Sequence, residues 1–190
     1  DCTGHGVPGA FMSLMGIAFL NEITKNDSSK SPATILGELR NKVIRELGQS
    51  GTIGENRDGM DMTLIKFDTS KNLLEFAGAN NSLYIVTNEK LITLEADHQP
   101  VGYQSSQHPF TNHEYYPQKG DTLFLLSDGY PDQFGGPKIK KFKLSKFKEM
   151  VQANRDLSMQ EQQIFIENAF NTWKGKNDQI DDVCVMAIRL

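Results

Sequence analysis

The sequence predicts an α+β fold in which helices flank mainly antiparallel sheets. Three observations carry that prediction. Apolar residues recur at helical spacing through the first 48 positions. Residues 60 to 94 break into short strand-like runs joined by tight turns. The remainder holds one strong strand, two amphipathic helices and a closing strand.

Pro8 suits a first helical turn, and Phe11, Met12, Met15, Phe19 and Ile23 mark one apolar face, so residues 8–25 read as a helix. Lys25–Lys30 is a turn. Ser31 is the expected N-cap of a second helix, with Pro32 at its first position and Ile35, Leu36, Leu39, Val43 and Leu47 on its buried side. Gly48 stops it. Residues 49–58 are polar and glycine-rich and are expected to form a mobile loop. Strand-like runs follow at 60–67, 73–77, 83–86 and 91–94, with turns at Gly78–Asn81 and Asn88-Glu89, and these predict an antiparallel meander. Residues 96–112 look irregular. Thr122–Ser127 is a strand whose apolar residues do not alternate, so both its faces should be covered. Two amphipathic helices are expected at 144–153 and 158–173, the second offering Ile164, Ile166, Ala169, Phe170 and Trp173 to a core. Val183–Ile188 closes the chain as a strand.

With 190 residues, 38% hydrophobic and 23% charged, the chain suits one globular domain with a sizeable core. A net charge of −4 argues against nucleic acid as a partner. The lysine run Lys138, Lys140, Lys141, Lys143, Lys146 and Lys148 reads as a solvated face. Two cysteines, Cys2 and Cys184, make no disulfide framework and no zinc spacing, which fits a reducing, cytoplasmic setting; Cys184 reads as a small buried hydrophobe. No stretch is judged long and apolar enough to span a bilayer, Phe11–Leu20 being short and interrupted by Ser13 and Gly16, and no membrane contact is expected. The first residue is not an initiator Met, so the chain is read as a fragment of a longer polypeptide.

Chemistry concentrates in three places. The chain opens Asp1-Cys2-Thr3-Gly4-His5-Gly6; Ser127-Asp128-Gly129 ends the strongest strand; Asp181-Asp182 precedes the last apolar run. Carboxylates at the ends of separate strands build oxygen-rich cages for hard divalent cations. Asp1 stands before a turn with little side-chain bulk, the Cys2 carbonyl offers another oxygen, and His5 between glycines has room to turn toward a bound water. Adjacent carboxylates such as Asp181 and Asp182 repel unless a cation or donor is near. Taken singly, each has a plainer explanation: a terminal Asp in a loop, a solvated histidine, an Asp-Gly turn, an exposed acidic turn.

Together these motifs, in order with Asp58-Gly59-Met60-Asp61 and Ala77-Gly78-Ala79-Asn80, resemble the SpoIIE-type branch of the PPM/PP2C protein serine/threonine phosphatases. The resemblance covers almost the whole chain. It implies an αββα sandwich with a binuclear Mn²⁺ or Mg²⁺ centre. It assigns Asp1 as a bridging carboxylate, Cys2 as a carbonyl ligand, Asp128 as a second-metal ligand and Asp181 as the last ligand, with Asp182 ranked below it. It sets His5 beside the metal-bound waters for proton transfer to the leaving serine oxygen, so the expected catalytic residues are Asp1, His5 and Asp128. Asp58, Asp61 and Asn80 are second-tier candidates. It implies attack by metal-bound hydroxide on phosphoserine or phosphothreonine of a small regulatory protein of the anti-sigma-factor-antagonist type, an upstream sensory domain, and a switching role for the two leading helices.

The chain departs from that pattern at its start. The family's strands before the first motif, one bearing a further Asp ligand, are absent, and no arginine matches the phosphate clamp of eukaryotic relatives. One metal position should be weakened, and one uncovered sheet edge invites a homodimer. Two other readings stand beside the enzyme: a pseudo-phosphatase that binds a partner without hydrolysis, and an unrelated metal-dependent hydrolase of small molecules.

Overall fold

The structure, a computed structural model, describes all residues other than 5, 28 and 53–56, and the side chain of residue 26 is left aside. The elements run α1 (Gly6–Asn26), α2 (Pro32–Glu46), β1 (Met62–Asp68), β2 (Leu73–Ala79), β3 (Leu83–Val86), β4 (Leu91–Leu94), β5 (His113–Tyr115), β6 (Thr122–Leu126), α3 (Gly129–Asp132), β7 (Phe134–Gly135), β8 (Lys140–Lys141), α4 (Leu144–Ala153), α5 (Met159–Lys174) and β9 (Val185–Arg189). They form two compact units, residues 1–82 with 95–116, and residues 83–94 with 117–190.

In the first unit, β1 and β2 pair antiparallel from Met62 opposite Ala79 to Asp68 opposite Leu73, and β5 lies on the other edge of β2. Helices α1 and α2 pack on this sheet because their apolar faces meet Ala77, Ala79, Met62 and Leu64. Leu36, Leu39 and Val43 are fully buried, each worth about 1.5–3 kcal/mol relative to exposure. The Ser31 side chain caps α2 by accepting from the Thr34 N–H, with Pro32 in the first turn, as the sequence requires. Arg40 is buried at the other side of α2. Its Nη1 donates to Gln99 Oε1 at 2.9 Å and to the His108 carbonyl at 3.0 Å, which ties the irregular segment after residue 95 to the helix.

Helix α1 corrects three expectations. It begins at Gly6, and Phe11 is 68% exposed rather than on the buried face, which is formed by Met12 and Ile23 with Met15, Phe19 and Leu20. Val7, Leu14 and Ile17 are exposed with Phe11. Gly6–Lys25 is also long and apolar enough to cross a membrane by length and composition, contrary to the sequence reading; that reading stopped at Ser13 and Gly16, and a helix accommodates both. Gly16 is a packing choice, since a Cβ there would meet the Met60 thioether at 3.1 Å.

In the second unit the sheet order is β4-β3-β6-β9, all antiparallel. Tyr84, Val86, Phe124 and Leu126 share a core with Phe147 and Val151 of α4 and Ile166 and Phe170 of α5. β6 is buried nearly throughout, which explains its unbroken apolar run. A capping box starts α5: Ser158 accepts from Glu161 N–H and Glu161 reaches back to Ser158 N–H. Ile164, expected in the core, is 53% exposed, because the apolar seam of α5 runs through Ile166 and Phe170. Cys184 is exposed, not a buried hydrophobe, since it precedes the strand that starts at Val185.

The expected meander does not form. β2 pairs with β1 and β5, whereas β3 pairs with β4 and β6. The break falls at Asn80, which takes the left-handed conformation (φ 58°) and lets the chain leave the first sheet. β5, α3 and the β7–β8 hairpin are too short to show a period in sequence. The expected loop at 49–58 lies partly outside the described residues. The α+β class itself, mainly antiparallel sheets flanked by helices, is what the structure shows.

Candidate metal centre

The candidate residues fall in two places, one in each unit. In the first unit the chain start runs antiparallel beside the residues leading into β1. Asp61 N–H donates to the Asp1 carbonyl at 2.7 Å, the Asp1 amino group donates to the Asp61 carbonyl at 3.0 Å, and Thr3 N–H donates to the Gly59 carbonyl at 2.9 Å. Cys2 stands opposite Met60 between these bonded pairs. Its own carbonyl therefore points away from Met60, as alternation in an antiparallel ladder dictates. Asp1 and Asp61, directly opposite, project from the same face of the ribbon. Asp61 Oδ1 accepts from Asn80 Nδ2 at 2.8 Å. Asn80 is held in turn by its N–H bond to the Asp97 carbonyl at 2.9 Å, and Asp97 by Thr111, whose N–H and hydroxyl both donate to its carboxylate. Asp58 is half-buried, and its carbonyl accepts from Gln49 Nε2 at 2.7 Å.

The second unit sets Asp128 at the end of β6, where α3 begins. Ser127 is the clamp that brings the distant acidic turn to it. Its N–H donates to the Cys184 carbonyl, its Oγ donates to the Asp182 carbonyl, and the same Oγ accepts from Cys184 N–H, all at 3.0 Å. Gly129 permits the approach: a Cβ there would overlap the Asp182 carbonyl oxygen and stand 3.4 Å from Asp181 Cβ. Asp181 therefore lies against Gly129, the residue that follows Asp128. The Asp181 Oδ1 accepts from Asp182 N–H at 2.7 Å, which fixes one oxygen of the carboxylate. Asp128, Asp181 and Asp182 are all exposed. Under them Tyr130 anchors α3. It is buried among Phe142, Phe147 and Phe170 and donates its hydroxyl to the Ile166 carbonyl at 2.8 Å; burial pushes its phenol well above the ordinary value.

These donors are oxygens, the set that hard divalent cations take. In neither unit do the described residues bring three His, Cys, Asp or Glu side chains together as a metal cluster. A pair of carboxylates still fits Mg²⁺, which keeps several waters and binds through one or two carboxylates. The residues thus suit cations that remain partly hydrated. His5, expected beside the waters, lies outside the described residues. Ser127 and Gly129 were quoted in the motif without a role; the Ser-Asp-Gly triplet was the signal, but the partners are 55 and 57 residues away.

The sequence matches the family described as Stage II sporulation protein E (SpoIIE) over residues 1–190. The chain belongs to the SpoIIE family. Solved structures agree in fold. The SiaA-PP2C domain of Pseudomonas aeruginosa is similar with a TM-score of 0.85 and 28% identity, covering 100% of this chain and 72% of that one. The SpoIIE PP2C phosphatase domain with a fragment of its regulatory domain, from Bacillus subtilis, is similar at TM-score 0.75 and 15% identity, covering 100% of this chain and 52% of that one. RsbX in complex with magnesium is similar at TM-score 0.63 and 10% identity, covering 98% and 76%. No curated protein matches. This SpoIIE-family chain therefore has the PP2C phosphatase fold that its motifs resemble.

Proposed function

We propose that this chain is the catalytic domain of a metal-dependent protein phosphatase that removes phosphate from phosphoserine or phosphothreonine of a small regulatory protein. The observation that supports the reading is the Ser127 clamp, which ties the acidic turn before β9 to the end of the central strand where Asp128 stands. Three hydrogen bonds and a required glycine hold this acidic turn against the strand end, an arrangement that suits a bound cation.

Asp1, the Cys2 carbonyl, Asp128 and Asp181 are the residues assigned to hold divalent cations, Mn²⁺ or Mg²⁺. Bound cations of this kind lower the pKa of water and neutralise charge on a transferring phosphoryl group. Asn80 fixes the Asp61 carboxylate next to Asp1, and Ser127 fixes the Asp181 turn. In the reaction, water adds to phosphorus in line with the departing serine oxygen; the P–O bond breaks, and the leaving oxygen takes a proton, for which we assign His5. The transition state is loose, so positioning and charge neutralisation supply most of the rate. The magnesium in the RsbX complex and the regulatory fragment beside the SpoIIE domain support cations and an upstream regulatory domain for this chain too.

The test is phosphate release from phosphoserine peptides with and without Mn²⁺. Release that needs the metal and disappears in Asp1→Ala and Asp128→Asn is expected. Release unchanged by either substitution would remove the assignment. A second reading, a binding module without hydrolysis, is favoured because no three metal-ligating side chains gather together among the described residues. It predicts cation binding in calorimetry with no phosphate release from any phosphopeptide.

A further inference from the structure

The β7–β8 hairpin in the second unit is anchored at its base and exposes an apolar residue in its connecting turn. Trp173 locks its base: indole Nε1 donates to the Gln133 carbonyl at 3.1 Å, and the Trp173 carbonyl accepts from Gly136 N–H at 2.8 Å. A Cβ at Gly135 would overlap that same carbonyl oxygen, so glycine is required for the contact. At the tip, Ile139 is 61% exposed and takes a left-handed conformation with φ 45°. That region is a genuine outlier for a β-branched residue. No burial compensates the strain, so the position is one where an exposed apolar side chain is retained at a cost.

Charge surrounds the tip. Residues 133–148 contain six lysines, Lys138, Lys140, Lys141, Lys143, Lys146 and Lys148, and no acidic residue. Two are engaged inside the unit: Lys141 pairs with Asp132 at 2.6 Å, and Lys148 reaches Thr93 and the face of Tyr84. Lys138, Lys140, Lys143 and Lys146 are exposed, Lys146 lying 3.8 Å from the centre of the Trp173 ring and so held beside the hairpin base. None of these residues belongs to the carboxylate pairs.

We propose that this hairpin docks the protein on an anionic lipid bilayer, with Ile139 entering the headgroup layer and the exposed lysines meeting the negative surface. The charge chemistry decides for a bilayer over a protein groove: every charge of residues 133–148 is a lysine, a flexible point charge that suits a fluid plane of headgroups rather than a fixed bidentate acceptor. The expectation of no membrane contact rested on spanning segments, and peripheral docking needs none. Each lysine near a phosphatidylserine-rich surface multiplies partitioning about fivefold.

Co-sedimentation of the full chain with vesicles tests this. Vesicles of about 30% phosphatidylserine in phosphatidylcholine should bind it at about 0.05 M salt and release it at about 0.5 M, and pure phosphatidylcholine vesicles should not bind it. Lys138→Glu with Lys140→Glu should lower partitioning at least about 25-fold. Ile139→Asn relieves the left-handed strain, so it should preserve or raise the melting temperature while weakening vesicle binding several-fold; this pairing separates docking from misfolding. The proposal is overturned by no binding to anionic vesicles, by equal binding to neutral ones, or by unchanged binding of the double Glu variant. It is also overturned if soluble poly-glutamate binds and vesicles fail to compete, since that would assign the surface to an acidic protein.

Discussion

Replacing Gly129 by Ala sets two effects of opposite sign against each other. Gly129 opens α3 with an ordinary backbone conformation, so Ala alone would favour the helix by up to about 1 kcal/mol. The new Cβ, however, would overlap the Asp182 carbonyl oxygen and stand 3.0 Å from its carbonyl carbon. Ordinary carbon contacts lie at about 3.5–4.0 Å, so the 181–183 backbone must retreat by at least about 0.5 Å. Overpacking of this kind costs about 1–3 kcal/mol, leaving a net destabilisation of about 0–3 kcal/mol and a melting temperature lower by up to about 12 °C. Function should suffer more. The same retreat carries Asp181 away from Asp128 and strains both Ser127 bonds, and a misplacement near 1 Å costs roughly a hundredfold in rate. Phosphate release at saturating Mn²⁺ and Mn²⁺ affinity by calorimetry are the measurements, alongside thermal melting. Gly120→Ala is the control: φ is 96° and nothing lies within 4 Å of the added Cβ. It should lose about 1 kcal/mol or more of stability and keep its metal affinity and turnover. A Gly129→Ala protein with full affinity, full turnover and an unchanged melting temperature would refute the clamp argument.

Ser127→Ala removes both Oγ bonds to the acidic turn and should cost about 1–3 kcal/mol while weakening Mn²⁺ binding, read by melting and calorimetry. Tyr130→Phe removes one bond to the Ile166 carbonyl, which lies within α5, and should cost about 0.5–1.5 kcal/mol with turnover unchanged, because the phenol is remote in role from the cations. Asn80→Ala frees the Asp61 carboxylate and should raise the Mn²⁺ requirement several-fold with little loss of fold, since Asn80 is exposed. The carboxyls of Glu161, Asp27 and Asp68 are held below their ordinary values first by the hydroxyls of Ser158, Ser29 and Ser70. Depressed folded-state values contribute stability above the unfolded values, and that contribution is lost as pH falls through the folded ones. Melting temperature should therefore be flat in these groups from neutrality down to about pH 5 and fall below about pH 4, and Glu161→Gln should make the acid limb shallower.

Much of the secondary structure was legible because its signals are local. Ser31-Pro32 fixes the start of α2, the periodicity of 144–153 gives α4, and β3 and β4 fall where turns isolate four-residue apolar runs. What failed depends on partners far away in sequence. Gly78–Asn81 reads as a hairpin turn, yet Asn80 is drawn to Asp97 and Asp61 and the chain changes sheets. Phe11 and Ile164 satisfy a helical stripe in sequence, but the stripe does not say where the packed face is centred. At the site, the acidic residues announced themselves by motif, while the roles of the serine and glycine that hold the acidic turn at the end of β6 became visible only with coordinates.

Calorimetric titration with Mn²⁺, run beside phosphopeptide hydrolysis on the same samples, bears most directly on the carboxylate pairs. Two ions should bind the intact chain, at least one should be lost in Asp128→Asn, and hydrolysis should disappear with it. Binding of no ion, or hydrolysis that persists once the ions are removed by a chelator, would contradict the account.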